Sequence, residues 1–181
     1  NVDGYSDYVD AAGEISSGGS IVIDSGGSVS NIGSKISSDG SNAGSTSFIR
    51  AKKNIRFDTV MLESHRTLSD KDGEGTLSEL SHAGSEVSIA GNLRLSSGGD
   101  IDVIGSQVNT DGHLDVDSGG KISVRSVKDQ STRTGRHSVK DTVHLWGYSF
   151  DVEVESGQTT HSEEKLVQAG LSSGGIMSIE G

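Results

Sequence analysis

The chain of 181 residues is poor in apolar side chains for an ordinary globule: 30% are hydrophobic and 4% aromatic, while Gly numbers 26. A net charge of −11 excludes the basic footprint that nucleic acid requires and disfavours docking on anionic lipid. Cysteine is absent, which removes disulfides and thiolate metal sites.

Such a composition is shared with disordered chains, but here the apolar residues are mainly Ile, Val and Leu in short alternating runs, which predicts short strands. No apolar run is long enough to span a membrane, and no signal peptide is expected within these residues. Beginning at Asn1, the chain reads as a piece of something longer.

In chain order, the pattern opens with AGEISSGGSIVI (Ala12–Ile23) and a window from Gly19 to Asp39, GSIVIDSGGSVSNIGSKISSD. Its grammar is a glycine, an alternating apolar pair, a Ser-Gly-Gly corner and a second alternating pair. Period-two alternation predicts strands with one buried face. The Gly-Gly corner is expected to supply backbone angles that other residues resist. The coil that begins at Gly40 is less regular: it carries extra residues before Phe48, has Lys52-Lys53 at the corner, and resumes the pattern at Ile55 and Phe57. A polar excursion follows over Glu63–His82.

Two adjacent windows then restore the grammar with a period of 21 residues: GNLRLSSGGDIDVIGSQVNTD (Gly91–Asp111) and GHLDVDSGGKISVRSVKDQST (Gly112–Thr132). A second excursion precedes AGLSSGGIMSI (Ala169–Ile179), which matches Ala12–Ile23 and Ala83–Leu95. The chain therefore reads as one segment, 1–181, with coils at 12–62, 83–127 and 169–181 and excursions at 63–82 and 128–167. Ile21, Leu93 and Leu114 are predicted to stack inside it, as are Ile23, Leu95 and Val116, and Val29, Ile101 and Ile122. Outside, Arg94 is expected over Asp115 and Asp100 over Lys121, each pair contributing about 0.2–1 kcal/mol.

SSGGDIDVIGSQV (Ser96–Val108), GGKISVRSVKDQST (Gly119–Thr132) and AGLSSGGIMSI resemble the haemagglutinin repeats of filamentous-haemagglutinin-like exoproteins of Gram-negative two-partner secretion systems. The likeness is greatest to the second repeat region of contact-dependent growth inhibition proteins of the CdiA type. The resemblance implies an all-β fold, a right-handed parallel β-helix (solenoid) with protruding β-hairpin excursions. It also implies export through an outer-membrane two-partner secretion transporter to the outer surface of a Gram-negative bacterium, and a target-cell or host-cell surface component as partner. A structural, toxin-delivery segment without enzymatic activity or cofactor is the leading expectation. An adhesin and a pore-forming cytolysin repeat are alternatives, and a polysaccharide-active β-helix enzyme is a remote one.

The most distinctive stretch is VHLWGYSFDVEVE (Val143–Glu155), which holds the only Trp. His144, Trp146, Tyr148, Phe150, Val152 and Val154 alternate and are expected to share one face of a strand. That face is either a contact surface, for a partner, a membrane or a neighbouring excursion, or a satellite core packed against the coils. Of histidines 65, 82, 113, 137, 144 and 161, none has a paired ligand spacing, although His137 and His144 flank an expected turn across which they would meet. Solvated surface histidines are the simpler reading. Asp100 with Asp102, and Asp115 with Asp117, place carboxylates two apart on an outer face, an arrangement glycoside-cleaving enzymes use. No sugar-binding groove accompanies them, so a decorated solvated face is the default. Neither a calcium nonapeptide nor an EF-hand loop occurs, and no metal site is expected. Arg50–Arg56 (RAKKNIR) reads as a set of partners for neighbouring rungs, not as a nucleic-acid patch.

Overall fold

The computed structural model describes residues 2–39, 44–69, 73–145 and 148–181, and the side chains of all of these but 137–157. Strand β1 (Val2–Ser6) precedes a coil of three short strands, β2 (Glu14–Ser17), β3 (Val22–Ser25) and β4 (Val29–Ile32). A second coil follows with β5 (Lys35–Ser38), β6 (Thr46–Ala51) and β7 (Ile55–Asp58). Two longer strands, β8 (Val60–Ser69) and β9 (Gly73–Ala83), interrupt the series. It resumes with β10 (Glu86–Ile89), β11 (Asn92–Ser97) and β12 (Ile101–Ile104), then β13 (Gln107–Thr110), β14 (Leu114–Ser118) and β15 (Ile122–Arg125). Long strands β16 (Val127–Leu145) and β17 (Tyr148–Val167) interrupt again before β18 (Gly170–Ser173) and β19 (Met177–Glu180).

The chain divides into two compact units. One comprises Val9–Met61, His82–Lys128 and Leu166–Gly181; the other comprises Asn1–Tyr8, Leu62–Ser81 and Asp129–Lys165.

In the first unit the short strands form three sheets, ordered β2-β5-β10-β13-β18, β3-β6-β11-β14-β19 and β4-β7-β12-β15. Every pairing in them is parallel. Each full coil thus gives one strand to each sheet, which is the arrangement of a β-helix-type repeat. Leu93 lies opposite Leu114, Leu95 opposite Val116 and Ile101 opposite Ile122, as the sequence overlay predicts. The irregular second coil joins the same rows, since Ile49 lies between Ile23 and Leu95, and Ile55 between Val29 and Ile101. Ile49, Ile55, Phe57, Leu93, Leu95, Ile101, Val103, Leu114 and Val116 are fully buried. Each adds roughly 1.5–3 kcal/mol on burial, so rows of stacked aliphatics hold the coils in register.

The Ser-Gly-Gly corners turn for a different reason from the one expected. None of their glycines has positive φ; among the described residues that conformation belongs to Gly33, Gly44 and Gly105. The serine makes the turn. Its Oγ accepts the N–H of the second glycine at Ser17–Gly19, Ser25–Gly27, Ser97–Gly99, Ser118–Gly120 and Ser173–Gly175, at 3.1–3.3 Å. The glycines answer to stacking instead. A Cβ on Gly119 would stand 2.6 Å from the Gly98 carbonyl oxygen, and one on Gly98 would collide with the Lys52 carbonyl. At Gly19 and Gly26, in the first coil, a Cβ would meet nothing within 4 Å.

At the corner between the third sheet and the first, coils alternate between two solutions. Ile32-Gly33-Ser34 and Ile104-Gly105-Ser106 turn directly through left-handed glycines with φ of 56° and 50°. At the same corner of the second and fourth coils the chain departs into β8–β9 and β16–β17. A Cβ on Gly105 would press on the Val127 side chain at 2.8 Å and lie 3.7 Å from Val167, so the direct corner packs closely against the roots of an excursion. Ser85, buried, donates to the Asn31 and Asp58 carbonyls at 2.7 and 2.6 Å, and its N–H is taken by Ser106 Oγ at 3.0 Å.

In the second unit the excursions and the N-terminal strand form one five-stranded sheet, β1-β8-β9-β16-β17. Its junctions β1–β8 and β9–β16 are antiparallel. Sequence reading did not anticipate β1, nor the register in which successive excursions pair with each other.

Candidate interaction surface

The excursion sheet is where the described chain presents extended strands with half-exposed polar side chains, and its residues run in rows. One row crosses all five strands as Tyr5, His65, Ser78, Thr132 and Ser162: Tyr5 lies opposite His65 with ring centroids 6.2 Å apart, His65 Nδ1 bonds Ser78 Oγ at 2.9 Å, Ser78 lies opposite Thr132, and Thr132 Oγ1 bonds Ser162 Oγ at 3.4 Å. Along the next row Ser64 Oγ donates to Glu79 at 3.2 Å, and Glu79 lies opposite Ser131. Further along, Gln130 donates to Glu164 at 3.4 Å and Arg136 to Gln158 at 3.3 Å. Such cross-strand pairs contribute about 0.2–1 kcal/mol each, far less than a buried aliphatic. An open cleft of 540 Å³ is lined by β1, β8 and β9, among them Tyr5, His65, Arg66, Leu77 and Glu79. No group of His, Asp and Glu among the described residues has the geometry to hold a metal ion.

These rows expose two motifs that sequence reading missed. The outgoing strands carry Ser64-His65-Arg66-Thr67 and Ser131-Thr132-Arg133-Thr134, a Ser-x-Arg-Thr pattern 67 residues apart. That spacing equals the one from Phe57 to Val124 along their shared row, so the motifs are equivalent by coil position. The returning strands carry Thr76-Leu77-Ser78-Glu79 and Thr160-His161-Ser162-Glu163, a Thr-x-Ser-Glu pattern 84 residues apart, the spacing from Glu86 to Gly170 along theirs. The excursions differ in length, so no single period reveals both motifs. Aligning each strand from its own coil does.

Of the aromatic stripe, His144 falls near the end of β16, whereas Tyr148, Phe150 and Val152 fall in β17. Trp146 lies outside the described residues, as do the side chains of the other four. His137 and His144 both lie on β16, seven residues apart, and so do not meet across a hairpin.

Among the remaining histidines, His113 is a local partner. His113 Nδ1 accepts the Ile176 N–H at 2.8 Å, and the His113 backbone N–H donates to Asn92 Oδ1 at 2.8 Å. Of the paired carboxylates, Asp115 and Asp117 both face Arg94, at 3.4 and 3.7 Å. Asp100 is not on a strand face but at a corner, where its carboxylate accepts the Lys121 N–H at 2.8 Å in place of the expected charge pair. Asn54 does the same for the Asp100 N–H at 3.0 Å. Within the basic segment, Arg50 stacks over the Phe48 ring at 4.3 Å and Arg56 pairs with Asp58.

A family model described as Hemagglutinin repeat matches residues 9–141, more than half of the chain. The chain belongs to the hemagglutinin repeat family. Its coils and excursions are accordingly a structural, adhesin-like segment of a secreted surface exoprotein, in the setting of two-partner secretion with an outer-membrane transporter. No curated protein and no solved structure matches the chain. The hemagglutinin repeat match covers β8, β9 and residues 127–141 of β16, so the first excursion and most of the outgoing strand of the second lie within it.

Proposed function

We propose that this hemagglutinin repeat segment is a right-handed parallel β-helix with hairpin excursions, from the toxin-delivery repeat region of a contact-dependent growth inhibition protein of the CdiA type on a Gram-negative outer surface. Right-handedness is supported by the strong preference of parallel strand connections for that hand. The hairpin reading is supported by the adjacency of β8 with β9 and of β16 with β17. The segment works as a non-enzymatic scaffold: its coils supply length, and its excursions meet a target-cell component that is not nucleic acid. The observation that carries this is the alternation at one corner of tight Ile-Gly-Ser turns and long polar excursions. Of the two carboxylate pairs that are candidates for acid–base work, Asp115 and Asp117 face Arg94, and Asp100 accepts the Lys121 N–H at a corner.

Binding of the labelled chain to intact Gram-negative target cells, compared with host cells, tests the reading. Saturable binding to bacteria is expected, with loss of binding but unchanged circular dichroism when Trp146, Tyr148 and Phe150 are replaced by Ser. Binding confined to host cells would replace toxin delivery with host adhesion.

A further inference from the structure

We infer that the outer edge of β17 is a docking surface for one further strand of the Ser-x-Arg-Thr type, contributed by the outgoing arm of a following super-repeat, so that the excursion sheet grows with the coils. This rests only on sheet registers and holds whatever the exoprotein delivers. The junction needed already occurs twice. β1, a strand that runs into the first coil, pairs antiparallel with β8, the outgoing strand of the first excursion. β9, which runs into the third coil, pairs antiparallel with β16, the outgoing strand of the second. In each case a returning strand accepts the next outgoing one.

β17 is a returning strand of the same kind. It carries Thr160-x-Ser162-Glu163 where β9 carries Thr76-x-Ser78-Glu79, and it bonds its own outgoing strand in the same way, with Thr132···Ser162 repeating His65···Ser78. On β9, Ser78 and Glu79 also face Thr132 and Ser131 of the next outgoing strand. On β17, Ser162 and Glu163 have β16 on one side only, the strand stands at the sheet's edge among the described residues, and Gln158–Leu166 are all exposed. An exposed edge is a template for strand addition, and a matching polar row selects the register. A second copy of the chain is a poorer occupant, because its two Ser-x-Arg-Thr strands are already paired on both sides.

The test extends the full chain. Glu180 lies opposite Asp117, so Gly181 takes the place of Ser118, and a copy of residues 119–137 fused after Gly181 supplies one more coil strand and one more outgoing arm. Hydrogen exchange read by mass spectrometry reports the amides of Gln158–Lys165. The expected result is protection increased by about a hundred-fold over the unextended chain, towards the level of Glu74–Ser81 on β9. A control in which the last ten appended residues are reversed is expected to leave these amides fast. The proposal is overturned if β17 stays fast in the extended chain, whether or not the appended segment is itself protected, or if the reversed control protects it equally. Protection of β17 that rises with the concentration of the unextended chain assigns the edge to a second copy, and also overturns it.

Discussion

The two units are both sheets, yet they hold their registers by different means and with different strictness. In the coils, every strand places Ile, Leu, Val or Phe inward, and the same rows continue from coil to coil without a slip, through the irregular second coil included. A shift by one residue would carry each buried aliphatic to the solvent face, at a cost of several kcal/mol per strand. The excursion sheet has Ser, Thr, His and Glu in its rows, and there the register does slip. Ser6 and Ser78 each stand eight residues before the first residue of the coil strand that follows, and Ser64 and Ser131 are equivalent by coil position. Nevertheless Ser64 pairs with Ser6, whereas Ser131 pairs with Glu79. Where no apolar face penalises displacement, a neighbouring polar partner serves as well.

The sharpest way to break this contrast is truncation in each unit. Leu95→Ala, in the buried row, is expected to cost about 3 kcal/mol in urea denaturation, and Leu77→Ala, half-buried in the excursion sheet, about 1 kcal/mol. Equal costs would refute the division of labour. Next in size is the test of why corners are glycine. Gly99→Ala, whose Cβ would collide with Asn54 Oδ1, is expected to lose about 2 kcal/mol, whereas Gly19→Ala, which meets nothing, is expected to be neutral or to gain about half a kcal/mol from a stiffer unfolded chain. Were backbone angle the reason, the two would lose alike.

Smaller again, Ser118→Ala removes bonds to the Gly99 carbonyl and the Gly120 N–H and is expected to cost about 1 kcal/mol by thermal melting, while Ser131→Ala in the polar rows stays within about 0.5 kcal/mol. Smallest is Arg94→Ala. Its ion pairs with Asp115 and Asp117 are nearly half exposed, so about 0.3 kcal/mol is expected at low salt and nothing measurable in about 1 M salt.

What was legible in the sequence follows the same division. The coil register could be read because buried aliphatics must alternate, and Leu93 over Leu114 is that requirement written twice. The corner serines were visible as part of Ser-Gly-Gly, but their role was hidden behind the glycines, whose purpose depends on the coil beside them and not on their own backbone. The excursion pairing was illegible, since polar rows carry no hydrophobic period and the two excursions differ in length. The Ser-x-Arg-Thr and Thr-x-Ser-Glu repeats emerge only when counted outward from coil strands already in register.

Methyl–methyl nuclear Overhauser contacts in a chain labelled at Ile, Leu and Val test the stacking of coils most directly. The account predicts an unbroken path from Ile23 through Ile49, Leu95 and Val116 to Ile179, with Leu93 joined to Leu114. A spectrum in which Leu95 shows no contact with either Ile49 or Val116 would contradict it.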